Sequence, residues 1–196
     1  MKTLTSIILL FITLPGSLAF GASQNINGSG LGGYGDTKWG MSKKEVEEIL
    51  IRDGKSIKEG ANHYEIIVTD DPLDSVGQVT YSFTPISNKL AHVAITSMAI
   101  AMGNLKPLPP GDVLAILREK YGEPTETKAM GGVSLVQWHN NGNRITFMTV
   151  SKGTTLIWQH ITYSNDELEK VYENEKKEFE DGVTKKRRQK IDKKKF

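Results

Sequence analysis

Cysteine is absent from the 196 residues, and only seven are proline. Without a thiol there is no disulfide, no thiolate metal site, no cysteine nucleophile and no lipid anchor on an N-terminal cysteine. Aromatic residues make up 8%, and no apolar run reaches the roughly 20 residues a membrane-spanning helix needs. What is present is enough to fold. Hydrophobic residues reach 38%, which supports one or two compact domains and excludes a wholly disordered or collagen-like chain. Charge of one sign is also scarce overall, since 25 Lys and Arg face 23 Asp and Glu for a net +2. That balance is a sum of unlike parts. Residues 23–164 hold 13 basic and 14 acidic groups, 165–184 hold 3 and 8, and 185–196 hold 8 and 1.

The N-terminus begins Met1-Lys2-Thr3, continues with an apolar run from Leu4 to Leu14, and closes on Pro15-Gly16-Ser17-Leu18-Ala19. A basic start, a short hydrophobic stretch and small residues after it form a secretory signal peptide over residues 1–22. Ser17 and Ala19 suit the −3 and −1 positions of cleavage after Ala19, with Gly21 or Ala22 as the second choice. The expected location is therefore periplasmic or secreted. Export without any disulfide favours a bacterial periplasm.

Residues 23–36 carry Gly28, Gly30, Gly32, Gly33 and Gly35 and are expected to be a Gly-rich linker. The literal G-x-G-x-x-G from Gly28 to Gly33 has no strand before it, so it lacks the strand-to-helix setting in which such glycines meet pyrophosphate. No cofactor is expected.

Two similar units are expected next, over 37–104 and 105–164. Ser42 with Glu45 three residues on is a capping box, and Val46, Ile49 and Leu50 mark one helix face ending near Gly54. Pro109-Pro110-Gly111-Asp112 opens a second helix with Val113, Ile116 and Leu117, closed by Tyr121-Gly122-Glu123-Pro124. Val46 to Val113 and Leu50 to Leu117 share one offset of 67 residues. Three strand-like runs follow each helix: Tyr64–Val68, Gln78–Thr84 and Lys89–Ala101, then Val133–His139, Arg144–Ser151 and Thr154–Tyr163. Asn140-Asn141-Gly142-Asn143, Lys152-Gly153 and Pro85-Ile86-Ser87-Asn88 read as turns. The expectation is an α+β fold of two tandem helix–strand–strand–strand repeats, with antiparallel sheet, helices on one face and a further C-terminal helix.

Trp39-Gly40-Met41-Ser42 leading into Val46 and Ile49-Leu50, together with Val113, Leu117 and Tyr121-Gly122-Glu123-Pro124, resembles the helix signatures of small bacterial envelope proteins. These are the BamE (SmpA/OmlA) assembly lipoproteins and the tandem-repeat β-lactamase inhibitory proteins. The resemblance spans roughly 37–163. It implies short helices on an antiparallel sheet whose surface binds other proteins without catalysis. This chain departs from both groups, having no cysteine to acylate and none to oxidise.

Chemistry-bearing motifs are sparse. His63, His92, His139 and His160 show no local metal-ligand spacing, although His139 and His160 could approach each other across paired hairpins. Asp70-Asp71 with Asp74 lacks the alternating ligands of a calcium loop, so no metal is expected. There is no G-x-S-x-G and no H-E-x-x-H, and Ser134 stands in an apolar strand, so no enzyme is expected. Trp39, Trp138 and Trp158 have two readings: core or sheet-face packing, or a partner-binding set if they lie exposed on one sheet face. Trp39, just before the first helix, also suits a staple on that helix.

The C-terminal region is the most polarised. Asn165 caps a helix over 165–184 whose Leu168, Val171, Tyr172, Phe179 and Val183 recur at helical spacing, with Asp166, Glu167, Glu169, Glu173, Glu175, Glu178 and Glu180 between them. The basic tail 185–196 carries Lys185, Lys186, Arg187, Arg188, Lys190, Lys193, Lys194 and Lys195. It suits an anionic membrane surface or lipopolysaccharide phosphates, at about 1 kcal/mol per basic side chain, or serves only as a solubilising end. No aromatic residues interleave with it, which argues against nucleic acid. The expected function is a non-enzymatic, exported protein-interaction module of the cell envelope with an envelope protein as partner. The alternative is a periplasmic inhibitor or small-ligand-binding protein that uses an aromatic sheet face.

Overall fold

The computed structural model describes residues 31–69, 77–98 and 108–192. The signal peptide, the first part of the expected linker, the Asp70-Asp71 loop with Asp74, and residues 193–196 of the tail lie outside the described residues. The fold is α+β, with three helices and one large antiparallel sheet.

The chain enters through a small hairpin, β1 (Gly33–Tyr34) and β2 (Thr37–Lys38), where a linker alone was expected. A Cβ at Gly33 would collide with the Thr37 carbonyl, so the close approach of the two strands requires glycine there. Tyr34 converts the segment from linker to structure: its ring packs on Tyr81 and Tyr163 at centroid distances of 6.1 and 5.1 Å. One aromatic residue in a glycine run buries enough apolar surface to seat the hairpin on the core.

Helix α1 (Lys43–Arg52) starts at the capping box, with both the Ser42 and Glu45 halves formed. Val46 and Leu50 are its buried residues. Four strands follow: β3 (Ile57–Glu59), β4 (Glu65–Val68), β5 (Gly77–Phe83) and β6 (Leu90–Met98). Helix α2 (Pro110–Tyr121) begins with proline in its first turn, buries Val113 and Leu117, and stops at Gly122 with φ +79°. Four more strands come next: β7 (Glu126–Met130), β8 (Val133–Asn140), β9 (Asn143–Lys152) and β10 (Thr155–Asn165). Each helix is thus followed by four strands instead of the expected three. The added β3 and β7 are short and mostly exposed, so they lack the alternating apolar pattern that marks the others.

All eight strands join in the order β3-β4-β5-β6-β10-β9-β8-β7. The two strand runs meet at the centre, where Val93 lies opposite Tyr163 and Ile95 opposite Ile161. Successive side chains alternate between faces. One face gathers Ile66, Val79, Tyr81, Val93, Ile95, Ile161, Tyr163, Ile145, Phe147, Val136 and Trp138 into one core with Val46, Leu50, Val113 and Leu117. Tyr121 of α2 also packs on Tyr163, so α2 covers this face together with the β1–β2 hairpin.

Helix α3 (Asp166–Asp192) lies on the opposite face. Asn165 caps it by accepting from the Leu168 amide at 3.1 Å. The boundary expected at residue 184 is not a structural one, since the helix runs on through the first part of the basic segment. Lys and Arg are good helix formers, and the charge change at 185 carries no capping signal. No helix among the described residues is long and apolar enough to cross a membrane.

Candidate functional site

Sheet alternation decides where the candidate residues go. Trp138 stands opposite Ile145, which stands opposite Tyr163, placing its indole on the core face. It is 4% exposed, and its Nε1 donates to the Gly122 carbonyl at 2.8 Å, tying β8 to the end of α2. Trp158 is an odd number of residues from Tyr163, so it occupies the other face. Trp39 is half-buried at the entry hairpin and donates from Nε1 to the Leu31 carbonyl at 2.6 Å. The three tryptophans therefore do not form one surface. Residue type and strand membership cannot reveal this, because a single-residue change in strand phase moves a side chain to the opposite face.

His139 and His160 are not brought together either. β9 separates their strands, and His139 faces Arg144 whereas His160 faces Met148. His160 instead shares a 2.8 Å hydrogen bond between Nδ1 and Thr96 Oγ1 on β6. Its pKa is lowered, first by burial and then by the neighbouring His92. No cluster of three or more His, Asp or Glu with metal-binding geometry occurs among the described residues.

The second face divides into two zones. At one end, α3 crosses the strands. Asp166 lies 3.8 Å from Arg144, and Glu169 lies 3.5 Å from His92 Nδ1. Tyr172 packs edge-on against His92 and Tyr64, with ring centroids at 4.9 and 5.9 Å. Glu175 accepts from the amides of Ile86 and Ser87 at 2.7 and 2.8 Å. Phe179 meets the His63 ring at 5.2 Å. Burial tends to raise the Glu175 pKa, but hydrogen bonds from the Ser87 side chain and the two amides outweigh it and hold the carboxyl low. The Glu169 pKa is lowered mainly by His92, with Arg144 adding attraction.

Away from α3 the same face carries a half-exposed mixed patch. Val133 pairs with Val150 and Val150 with Trp158, while Leu135 pairs with Met148 and Met148 with His160. These pairs run side by side, and the Trp158 ring packs edge-on against His160 at 5.8 Å. All six are partly solvent-accessible, and Val133 is 39% exposed. An aromatic and aliphatic patch beside polar Thr96, Thr146 and Gln137 offers area and hydrogen bonding together.

Several features here carry little sequence signal. The α3 seam joins the segment before β4, the β5–β6 turn, β6 and β9 to one helix. The only cue is that Leu168, Tyr172 and Phe179 mark a face flanked by Glu169 and Glu175. The buried tyrosines under the entry hairpin are not a reactive group. Burial, with Tyr121 adding to it, pushes Tyr34 up to about 12, and Tyr81 and Tyr163 are raised as well, so the phenols stay protonated.

Comparison with known proteins finds no matching family model, no matching curated protein and no matching solved structure.

Proposed function

We propose that this chain is an exported, non-enzymatic protein-interaction module of the bacterial cell envelope. The single observation that carries the reading is the patch of Val133, Leu135, Met148, Val150, Trp158 and His160 on the sheet face beside α3. A large, rigid aromatic among aliphatic neighbours on a regular sheet suits docking of another protein, because little side-chain freedom is lost on contact. The N-terminal signal-peptide pattern supplies the compartment. The partner is an envelope protein.

The two halves are copies of one unit in this reading. Val46 and Val113, and Leu50 and Leu117, share the 67-residue offset, and all four are buried in one core. Each half runs helix, then four antiparallel strands, and the last strand of each meets the other at the sheet centre. Duplication supplies a broad sheet from one small plan.

The basic run adds electrostatic attachment. Among the described side chains, the last ring contact of α3 with the body is made by Phe179, and Lys185 follows six residues later. Past that contact, Lys185, Lys186, Arg187, Arg188 and Lys190 continue the helix, followed in sequence by Lys193, Lys194 and Lys195. Anionic lipid or lipopolysaccharide phosphates are the surface such a segment binds.

The test is a crosslinking pull-down from envelope extract with mature protein, its Trp158→Ala variant and a chain lacking residues 185–196. A discrete partner recovered by the first and lost with Trp158→Ala is the expected result. Equal recovery with Trp158→Ala, or none from any form, overturns docking through this patch. Tryptophan quenching by small molecules, without a protein partner, would point to ligand binding on the same face.

A further inference from the structure

Among the described residues the sheet is open at both sides, ending in β3 and in β7. An edge strand presents free amides and carbonyls that another strand can pair with. β3 has three residues, whereas β7 has five, and Thr127–Met130 are all exposed.

The phase of β7 follows from its turn. Gly131 and Gly132, at φ +60° and +84°, form the two-residue loop to β8, which makes Met130 and Val133 a hydrogen-bonded pair. Hydrogen-bonded residues alternate along an antiparallel ladder. Lys128 therefore turns its backbone inward to β8, and Thr127 and Ala129 turn theirs outward.

Glu126 and Lys128 project from the same side of β7, 2.6 Å apart at their charged atoms. A second β7 laid antiparallel about Thr127 exchanges two backbone bonds at Thr127 and sets each Glu126 opposite the other chain's Lys128. Four charges then alternate in sign. Centring on Lys128 instead would set two lysines opposite each other as a non-hydrogen-bonded pair, where like charges stand closest. Centring on Ala129 would oppose Lys128 to Met130. Only the Thr127 register satisfies both backbone and charge. Lysine on an edge commonly repels stray strands, and here it also selects the register.

We propose that β7 is a self-recognition edge, on which a second copy of the chain adds antiparallel about Thr127 with Glu126 facing Lys128 in both directions. A five-residue edge falls short of the roughly 1,000 Å² of a stable interface, so the association is weak and salt-sensitive.

The absence of cysteine makes the test clean. Thr127→Cys places the sole thiol on the two-fold axis, where hydrogen-bonded Cα atoms stand about 5.5 Å apart, within disulfide reach. Lys44→Cys, on an exposed position of α1, is the control for random collision. Under mild oxidation of purified mature protein, Thr127→Cys is expected to form dimer about tenfold faster than Lys44→Cys. Adding Lys128→Glu should slow it about fivefold, and the swap Glu126→Lys with Lys128→Glu should restore it. The proposal is overturned if Thr127→Cys crosslinks no faster than the control, if Ala129→Cys crosslinks faster than Thr127→Cys, or if Lys128→Glu leaves the rate unchanged. Lys44, Thr127, Lys128 and Ala129 are exposed and Glu126 is half-exposed, and circular dichroism of each variant verifies the fold independently of crosslinking.

Discussion

His92 on β6 and Glu169 on α3 face each other at 3.5 Å across the seam between helix and sheet. Neither His92 Nδ1 nor Glu169 Oε2 has a hydrogen-bond partner among the described residues, and both side chains are largely removed from water. At that separation the contact with His92 is what chiefly holds the Glu169 carboxyl below its ordinary range. Because the folded carboxyl has a lowered pKa, its stabilisation is complete above the unfolded value of 4.5 and is lost as pH falls through the folded value. Glu169→Gln is expected to cost about 1–2 kcal/mol at neutral pH, with the difference from wild type vanishing in acid. Urea unfolding at both pH values measures it. A variant as stable as wild type at neutral pH would show that this pair does not hold the seam.

His160 makes the acid side steeper. Burial and His92 lower its folded pKa below 6.5, so the unfolded chain takes up the proton first. Stability from this residue is therefore full above pH 6.5 and declines as pH drops towards the folded value. His160→Gln should flatten the melting temperature between neutral and mildly acidic pH. An unchanged slope would assign the acid sensitivity to other groups.

Trp138 and Trp158 separate core stability from surface function. Trp138→Phe loses the 2.8 Å bond to the Gly122 carbonyl and should cost about 1–2 kcal/mol. Trp158→Phe, on the half-exposed face, should cost under about 0.5 kcal/mol. Thermal unfolding of the two variants distinguishes them, and equal losses would contradict the placement of Trp158 outside the core.

Glu175 clamps the β5–β6 turn to α3. Glu175→Ala should leave overall stability within about 1 kcal/mol of wild type. The Ile86 and Ser87 amides, which donate to this carboxylate, should then exchange hydrogen about three- to tenfold faster. Unchanged exchange at both amides would mean that the turn holds them without α3.

Much of the local structure was legible in the residues. Ser42 with Glu45, the alternation of Val79, Tyr81 and Phe83, and Asn141-Gly142 with φ +48° and +73° each formed as expected. Such signals act within a few residues and need no distant partner. β3 and β7 were not legible, because short exposed edge strands carry little apolar pattern and are defined by the strand beside them. The entry hairpin was hidden for a similar reason: its glycines suggest freedom, and only contact with Tyr81 and Tyr163 gives Tyr34 a fixed place.

The site divides along the same line. Its residue types stood in the sequence, but their grouping did not. Two tryptophans alike in strand setting, Trp138 and Trp158, ended on opposite faces, and His160 found Thr96 instead of His139. The sequence by itself determined the helix starts, the turns, the alternating strands and the segregation of charge towards the C-terminus. Tertiary structure alone decided that β6 pairs with β10, that α3 crosses the second face, and that His92 meets Glu169. The physical reason is range. Capping, turn geometry and periodicity arise between near neighbours, whereas pairing across about 70 residues depends on closing the chain and burying two apolar surfaces at once.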